Sequence, residues 1–138
     1  MSIVQEIQFE SGLLTVQVRG EFSLKEAKRT FLEILEAVAK YKAEKILIDG
    51  RNVKGKPHLI DRFYYGEFAA NETTRLVIEI GVVPRFAYVL HEPLRDPEKF
   101  GELVARNRGM KIKVVETLED AFEWLEVSSP KRMNAGEA

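Results

Sequence analysis

"KILIDG", Lys45 to Gly50, is a short apolar run closed by Asp49 and Gly50. A run of that length without polar alternation is expected of a strand buried on both faces, the kind that builds parallel sheets. "RFAYVL", Arg85 to Leu90, repeats the pattern, and "KIKVV", Lys111 to Val115, reads as a further strand. Each is followed by a helical candidate. Strands alternating with helices demand a largely parallel sheet, because a crossover helix must return the chain to the same end of the sheet.

Upstream, "IQFESGLLTVQV" alternates twice, with Ile7 and Phe9 before Ser11-Gly12 and Leu14, Val16 and Val18 after it. Gly12 supplies the positive φ of a tight turn, which predicts an amino-terminal β-hairpin and hence an antiparallel edge. From Leu24 to Tyr41 the stripe Leu24, Ala27, Phe31, Leu35 and Val38 predicts an amphipathic helix, with Ser23 as cap and Glu26 closing a capping box. Near the other end, "DPEKFGELVARNRG" predicts a helix with Pro97 in its first turn, Asp96 as cap and a stop at Gly109. "TLEDAFEWLE" predicts a short closing helix capped by Thr117, with Trp124 as a core anchor, and the polar, breaker-rich residues 128–138 read as a tail after a domain spanning 1–127. The expectation is one α/β domain: a five-stranded mixed sheet, an N-terminal β-hairpin plus parallel strands, packed with four to five helices. Ligands and partners of such sheets engage the carboxyl ends of the strands, here the loops starting at Asp49, His91 and Glu116.

Composition excludes several chemistries. The 138 residues, 45% hydrophobic and 31% charged, suit one globular domain that buries roughly two-thirds of its unfolded surface. A formal net charge of -1 provides no bulk field for phosphate backbones, so no nucleic-acid partner is expected. The absence of cysteine rules out disulfides, thiolate catalysis and thiolate metal sites, and fits a reducing compartment. Met1 to Glu10 is interrupted by Gln5, Glu6, Gln8 and Glu10, unlike a signal peptide, and no segment approaches the ~18 apolar residues of a membrane span. A cytoplasmic, soluble protein is the expectation.

The stretch between the first two parallel strands is the unusual one. "GKPHLIDRFYYGEFAA", Gly55 to Ala70, crowds Phe63, Tyr64, Tyr65 and Phe68 into six residues. In a helix beginning near Pro57, the residues Ile60, Phe63, Tyr64 and Phe68 share one stripe, while Asp61, Arg62 and Tyr65 face away. The stripe fails at Asn71, Glu72 and Arg75, which predicts a break near Asn71 and a second helical piece ending at Ile80. Gly66, costing about 1 kcal/mol relative to alanine within a helix, suggests close packing, a flexible point or a tolerated defect. The aromatics either cover the sheet as ordinary core, the first reading for Ile60, Phe63 and Phe68, or form a receiving surface, for which tyrosines with an apolar body and polar tip are suited. In the second case a two-part cap, Leu59 to Ala70 and Glu72 to Ile80, closes over an apolar crevice beside Phe22, Asp49 and Arg51. The candidate ligand-binding set is then Phe22, Asp49, Arg51, Phe63, Tyr64, Tyr65, Phe68 and Leu76.

Other candidates are weaker. His58 and His91 are far apart and show no metal-ligand spacing. Asp49 reads as a loop cap paired with Arg51. "GRNVKGK" lacks the ending of a phosphate-binding loop, and "ARNRGMKIK" reads as a solvated helix end whose cations offset the dipole, secondarily as a patch for anionic lipid. No catalytic set, cofactor or metal is expected.

The "ILIDGRNVKG" strand and loop, the "DRFYYGEF" segment and the ending "NRGMKIKVVETLEDAFEWLE" together resemble the SpoIIAA-like family, related to the STAS domains of sulfate transporters and anti-sigma factor antagonists. The resemblance spans the hairpin to Glu126. It implies a single-domain SpoIIAA-like fold and, in the regulators, a serine opening the helix after the strand at Lys45 to Asp49, phosphorylated to switch partner binding. Here "GRNVKGKPHLIDR" has no serine, threonine or tyrosine at that place, so the phospho-switch and the anti-sigma antagonist role are not expected. The resemblance implies instead the divergent branch, with a fold similar to CRAL-TRIO lipid-transfer domains: a non-enzymatic carrier of a small lipophilic or amphipathic ligand, with peripheral membrane contact as a further option. The alternative is a protein-interaction module, with a protein partner or a second copy of the chain as in a homodimer, and with Tyr65 and Arg62 on its contact face.

Overall fold

The computed structural model describes residues 3–128. The expected tail, 128–138, lies outside the described residues except for Ser128. Two strands, β1 (Ile3–Glu10) and β2 (Leu13–Glu21), form the hairpin, turning at Ser11 and Gly12, both at positive φ (55 and 79). Phe9 pairs with Leu14 and Ile7 with Val16. β2 leads into α1 (Leu24–Tyr41), and then β3 (Lys45–Lys54), α2 (Leu59–Ile80), β4 (Arg85–Val89), α3 (Phe100–Asn107), β5 (Lys111–Val115) and α4 (Leu118–Leu125) follow. The sheet order is β1-β2-β3-β4-β5, antiparallel in the hairpin and parallel thereafter. The architecture is the expected five-stranded mixed sheet, with four helices.

Strand order explains the layering. The chain steps across the sheet in one direction, so right-handed crossovers place all three connecting helices on the same face. Leu14, Val16, Ile46, Ile48, Phe86 and Ile112 pack there against Phe31, Ile34 and Val38 of α1 and Ala69 and Ala70 of α2. Side chains alternate along a strand, so Leu47, Ala87, Val89 and Val115 point the other way, where Ala121, Phe122 and Leu125 of α4 cover them. Fully burying one such side chain contributes roughly 1.5–3 kcal/mol relative to leaving it in water.

The caps are mostly as the spacing predicts. Ser23 Oγ accepts from Glu26 N at 3.2 Å, and Thr117 Oγ1 from Asp120 N at 3.1 Å. Glu26 does not close a capping box; its carboxylate accepts from Ile3 N (3.3 Å) and Arg29 (2.7 Å), tying α1 to the start of β1. α3 starts at Phe100 rather than Pro97, although Asp96 still accepts from Phe100 N at 2.9 Å. β3 does not end at Asp49. It continues to Lys54 through an irregularity in which Gln17 pairs with Asp49 and Arg19 with Asn52, an extra residue on the β3 side.

The largest correction concerns α2, which is one unbroken helix of 22 residues with no break near Asn71. Its buried residues are Gly66, Ala69, Ala70, Thr73 and Leu76. These continue across Asn71 at helical spacing, whereas the aromatic stripe looks outward: Ile60 is 55% and Tyr64 45% exposed. Small residues face the sheet because α3 presses on α2 from the side. A Cβ on Gly66 would stand 2.5 Å from the Gly101 carbonyl oxygen, and one on Gly101 would stand 3.1 Å from the Arg62 carbonyl oxygen. Of the three readings of Gly66, close packing is the one observed.

Gly66→Ala therefore has to move backbone. The gain of ~1 kcal/mol in helix propensity is set against overpacking which, at 2.5 Å from a backbone oxygen, falls at the upper end of its range, about 3 kcal/mol, and urea unfolding should show a net loss of about 2 kcal/mol. Equal or greater stability would mean that α2 and α3 are not held this closely.

Candidate functional site

Between the sheet and the three crossover helices lies a cavity of about 160 Å³. Val18, Ile48, Tyr88 and Ile112 form its floor; Thr30 and Ile34 of α1, Tyr65 and Ala69 of α2, and Glu102 and Ala105 of α3 form its walls. Towards the strands' carboxyl ends the lining passes to Phe22, Val53, Leu90 and Leu94, and to the exposed Lys99. The Arg62 guanidinium braces this end by donating to the carbonyls of Leu94 (2.8 Å) and Pro93 (3.0 Å).

Besides the charged Asp61, Arg62, Asp96 and Lys99, three polar features interrupt the apolar lining. The hydroxyls of Tyr65 and Tyr88 bond each other at 2.7 Å, their rings edge to face at 6.3 Å. Burial pushes both hydroxyls above the ordinary phenol range, an effect that the bond from Tyr88 partly offsets for Tyr65 and that Tyr65 reinforces for Tyr88. Glu102, 5% exposed, accepts from Val114 N and from Arg106, each at 3.3 Å. Thr30 Oγ1 is buried with no hydrogen-bond partner. A phenol whose ionisation is moved further from neutrality keeps its proton at pH 7 and can donate one hydrogen bond.

Of the eight candidate residues, the cavity brings together Phe22 and Tyr65. Tyr65 was expected to face away from the core and instead points inward, with its ring 6.1 Å from that of Phe31. Asp49 and Arg51 are not beside the crevice. Ile48 lines the cavity, so its neighbour Asp49 projects from the opposite face of the sheet, where Arg51 donates to it from Nε (2.9 Å), Nη2 (2.8 Å) and the backbone N (3.2 Å). Burial pushes the Asp49 carboxyl up, but these bonds outweigh it and hold the group below the usual carboxylate range. With Gln17, Arg19 and Asn52 the pair borders a separate polar recess.

Phe63 sits over the α2–α3 seam, 6.5 Å from the Phe100 ring, with the Arg108 guanidinium 5.5 Å away. Phe68 packs at the core edge beneath Lys28, 5.2 Å from its ring; Tyr64 is exposed, and Leu76 is core that does not line the cavity. Sequence reasoning missed Tyr88, Thr30 and Glu102. Tyr88 carried a signal, being the hydroxyl in an otherwise apolar buried strand, which must find a partner.

The basic "ARNRGMKIK" group is dispersed among local partners, Arg106 with Glu102, Arg108 with Glu67, and Lys113 over the Trp124 ring. Trp124 Nε1 donates to Phe86 O at 2.9 Å. Among the described residues no helix is long and apolar enough to cross a membrane, and no group of three or more His, Cys, Asp and Glu side chains is placed to hold a metal ion.

No family model and no curated protein matches the chain. Among solved structures it is similar to an anti-sigma factor antagonist from Mycobacterium paratuberculosis, at 18% identity over 91% of this chain and 95% of that one, with a TM-score of 0.57. It is also similar to an uncharacterized protein with a SpoIIAA-like fold from Shewanella loihica PV-4, at 17% identity over 90% and 94% of the two chains, TM-score 0.47. The fold is the SpoIIAA-like one that the sequence resemblance implied.

The tyrosine pair makes stability fall at high pH. Both hydroxyls ionise later in the folded chain than in the unfolded one, so the native state holds protons that the unfolded state releases above about pH 10. Their contribution is complete below that pH and is lost as pH rises towards the folded values. Denaturant melts from pH 8 to 11.5 should show this loss, reduced in Tyr65→Phe/Tyr88→Phe, and the pair's phenolate absorbance should appear only with unfolding. Phenolate signal from both residues in a fully folded protein at pH 10.5 would refute their burial.

Proposed function

We propose that this STAS-related domain is a non-enzymatic binding module for a small, largely apolar molecule held in the cavity between the sheet and α1, α2 and α3. The observation that carries the reading is the cavity itself: about 160 Å³, apolar on most of its walls. Most of that wall offers no hydrogen bond, so an apolar guest gains contacts there that water would not. Size narrows the ligand class. A dry cavity of ~150 Å³ holds benzene, and drug-sized ligands occupy roughly 300–1,000 Å³. The ligand is thus a single ring or a short branched chain, smaller than an acyl lipid.

In this reading Phe22 and Tyr65 touch the ligand, α2 is the cover, and Phe63 and Phe68 hold the cover in place. Entry lies at the strands' carboxyl ends, where the Arg62 bonds to Leu94 and Pro93 part to admit the guest. The lack of cysteine fits a cytoplasmic setting for such a module.

A second reading, a protein-contact module, is favoured by a different observation. Leu59 (65% exposed), Ile60 (55%) and Tyr64 (45%) expose adjacent apolar side chains on the first two turns of α2. The contact face would then centre on Tyr64 rather than Tyr65, whose hydroxyl is turned inward onto Tyr88.

Two measurements separate the readings. Toluene titrated into the isotope-labelled protein should shift amide resonances around the cavity, with Kd on the order of 0.1–1 mM, and at tenfold excess over Kd should add roughly 1.4 kcal/mol of stability. Val53→Trp, filling the half-buried mouth, should abolish the shifts while the fold persists. Absence of any cavity response to toluene, together with self-association or partner binding that is lost in Tyr64→Ala, would move the function to the outer face of α2.

A further inference from the structure

Hydrogen counting at the cavity wall says more about the guest. Tyr65 and Tyr88 together carry two O–H groups, and their mutual bond at 2.7 Å uses one. Whichever hydroxyl accepts that bond keeps its own hydrogen, and among the described residues neither has a further partner. Thr30, on the facing α1 wall and 5% exposed, has a second hydroxyl with no partner. A buried donor left unmade costs free energy comparable to a lost hydrogen bond, so native chains rarely keep two beside one cavity without something to receive them.

The charges around the cavity limit what that receiver can be. Arg62 is committed to the carbonyls of Leu94 and Pro93, Arg106 to Glu102, and Lys99 sits at the exposed rim. Glu102 places a carboxylate on the α3 wall, with its oxygens held by Val114 N and Arg106. An anionic guest would leave water to face the Glu102 carboxylate, while of the cations in the described lining Arg62 is committed to carbonyls and Lys99 stands in solvent at the rim. A cationic guest would find the lining carboxylates already engaged, Glu102 by Val114 N and Arg106, Asp96 by the amides of Glu98 and Phe100, and Asp61 by His58 N.

We propose that the ligand is an uncharged small molecule with a ring-sized apolar body and one hydrogen-bond acceptor, of the carbonyl type, which receives the spare O–H of the Tyr65–Tyr88 pair. This rests on the cavity-binding reading above and adds the polar group to it. Tyr65 and Tyr88 select the ligand, and Thr30 supplies a second donor to the same oxygen or to water beside it.

The test compares four probes of nearly equal size on the full chain at pH 7 by amide chemical-shift titration: acetophenone, ethylbenzene, benzoate and benzylammonium. Acetophenone is expected to bind about tenfold more tightly than ethylbenzene, with the two ions weaker than both. In Tyr65→Phe/Tyr88→Phe the ketone should lose its advantage while ethylbenzene retains its affinity. Should that variant not fold, the carbonyl stretch of acetophenone bound to the unaltered protein reports the same contact, expected at lower frequency than in hydrocarbon solvent. Equal binding of ketone and hydrocarbon, or an unshifted carbonyl, overturns the acceptor and leaves the apolar cavity intact as a binding site. Tightest binding by benzoate or benzylammonium overturns the uncharged ligand. If no probe binds, both this inference and the cavity reading fall.

Discussion

The backbone-to-backbone approach of α2 and α3 at Gly66 and Gly101 sets the geometry on which the interior depends. With no Cβ at either position, α3 closes on α2 near the Arg62 and Gly101 carbonyls. The fit fixes which face α2 turns to the sheet, and so places Tyr65 over Tyr88 and Ala69 over the strands. A bulkier residue at position 66 would push the helices apart or rotate α2, and either movement would reshape the cavity wall. Helix propensity is given up at Gly66 so that packing can be specific.

Topology supplies the second constraint. One-directional strand order puts three helices of unequal length, 18, 22 and 8 residues, on one face of a twisted sheet. Short side chains on α2 leave unfilled volume between it and the strands, and that volume is the cavity. Among the described residues the opposite face has only α4, which covers β4, β5 and part of β3. Its uncovered portion has polar groups such as Gln17, Arg19 and the Asp49–Arg51 pair. The same alternation that buries Ile48 therefore turns Asp49 away from the cavity, and a strand-end acid that reads as a site becomes a surface ion pair.

The fold was largely legible in the chain. Apolar runs at Lys45, Arg85 and Lys111, the Ser11-Gly12 turn and the Ser23 and Thr117 caps each report local physics: period, positive φ and unsatisfied first-turn amides. The site was less so. Aromatic density drew attention to Phe63, Tyr64 and Phe68, of which Tyr64 is exposed, Phe63 sits over the α2–α3 seam beside Arg108, and Phe68 packs at the core edge beneath Lys28. The α2 residues that line the cavity include Tyr65, Gly66 and Ala69, and the glycine and alanine give a weak hydrophobic signal. Amphipathicity read from large apolar residues fails when a helix must approach both a sheet and a neighbouring helix closely, because close approach selects small residues and leaves large ones outside.

The sequence by itself determined the strand and helix order, the parallel sheet and the exclusion of thiolate chemistry, because those follow from periodicity and composition within short windows. Only the tertiary structure decided which side of α2 faces inward, that Tyr65 meets Tyr88 and that Glu102 joins the same wall. These are contacts between residues 23 and more positions apart, set by how three helices pack on one sheet, and no local pattern encodes the rotation of one packed helix against another.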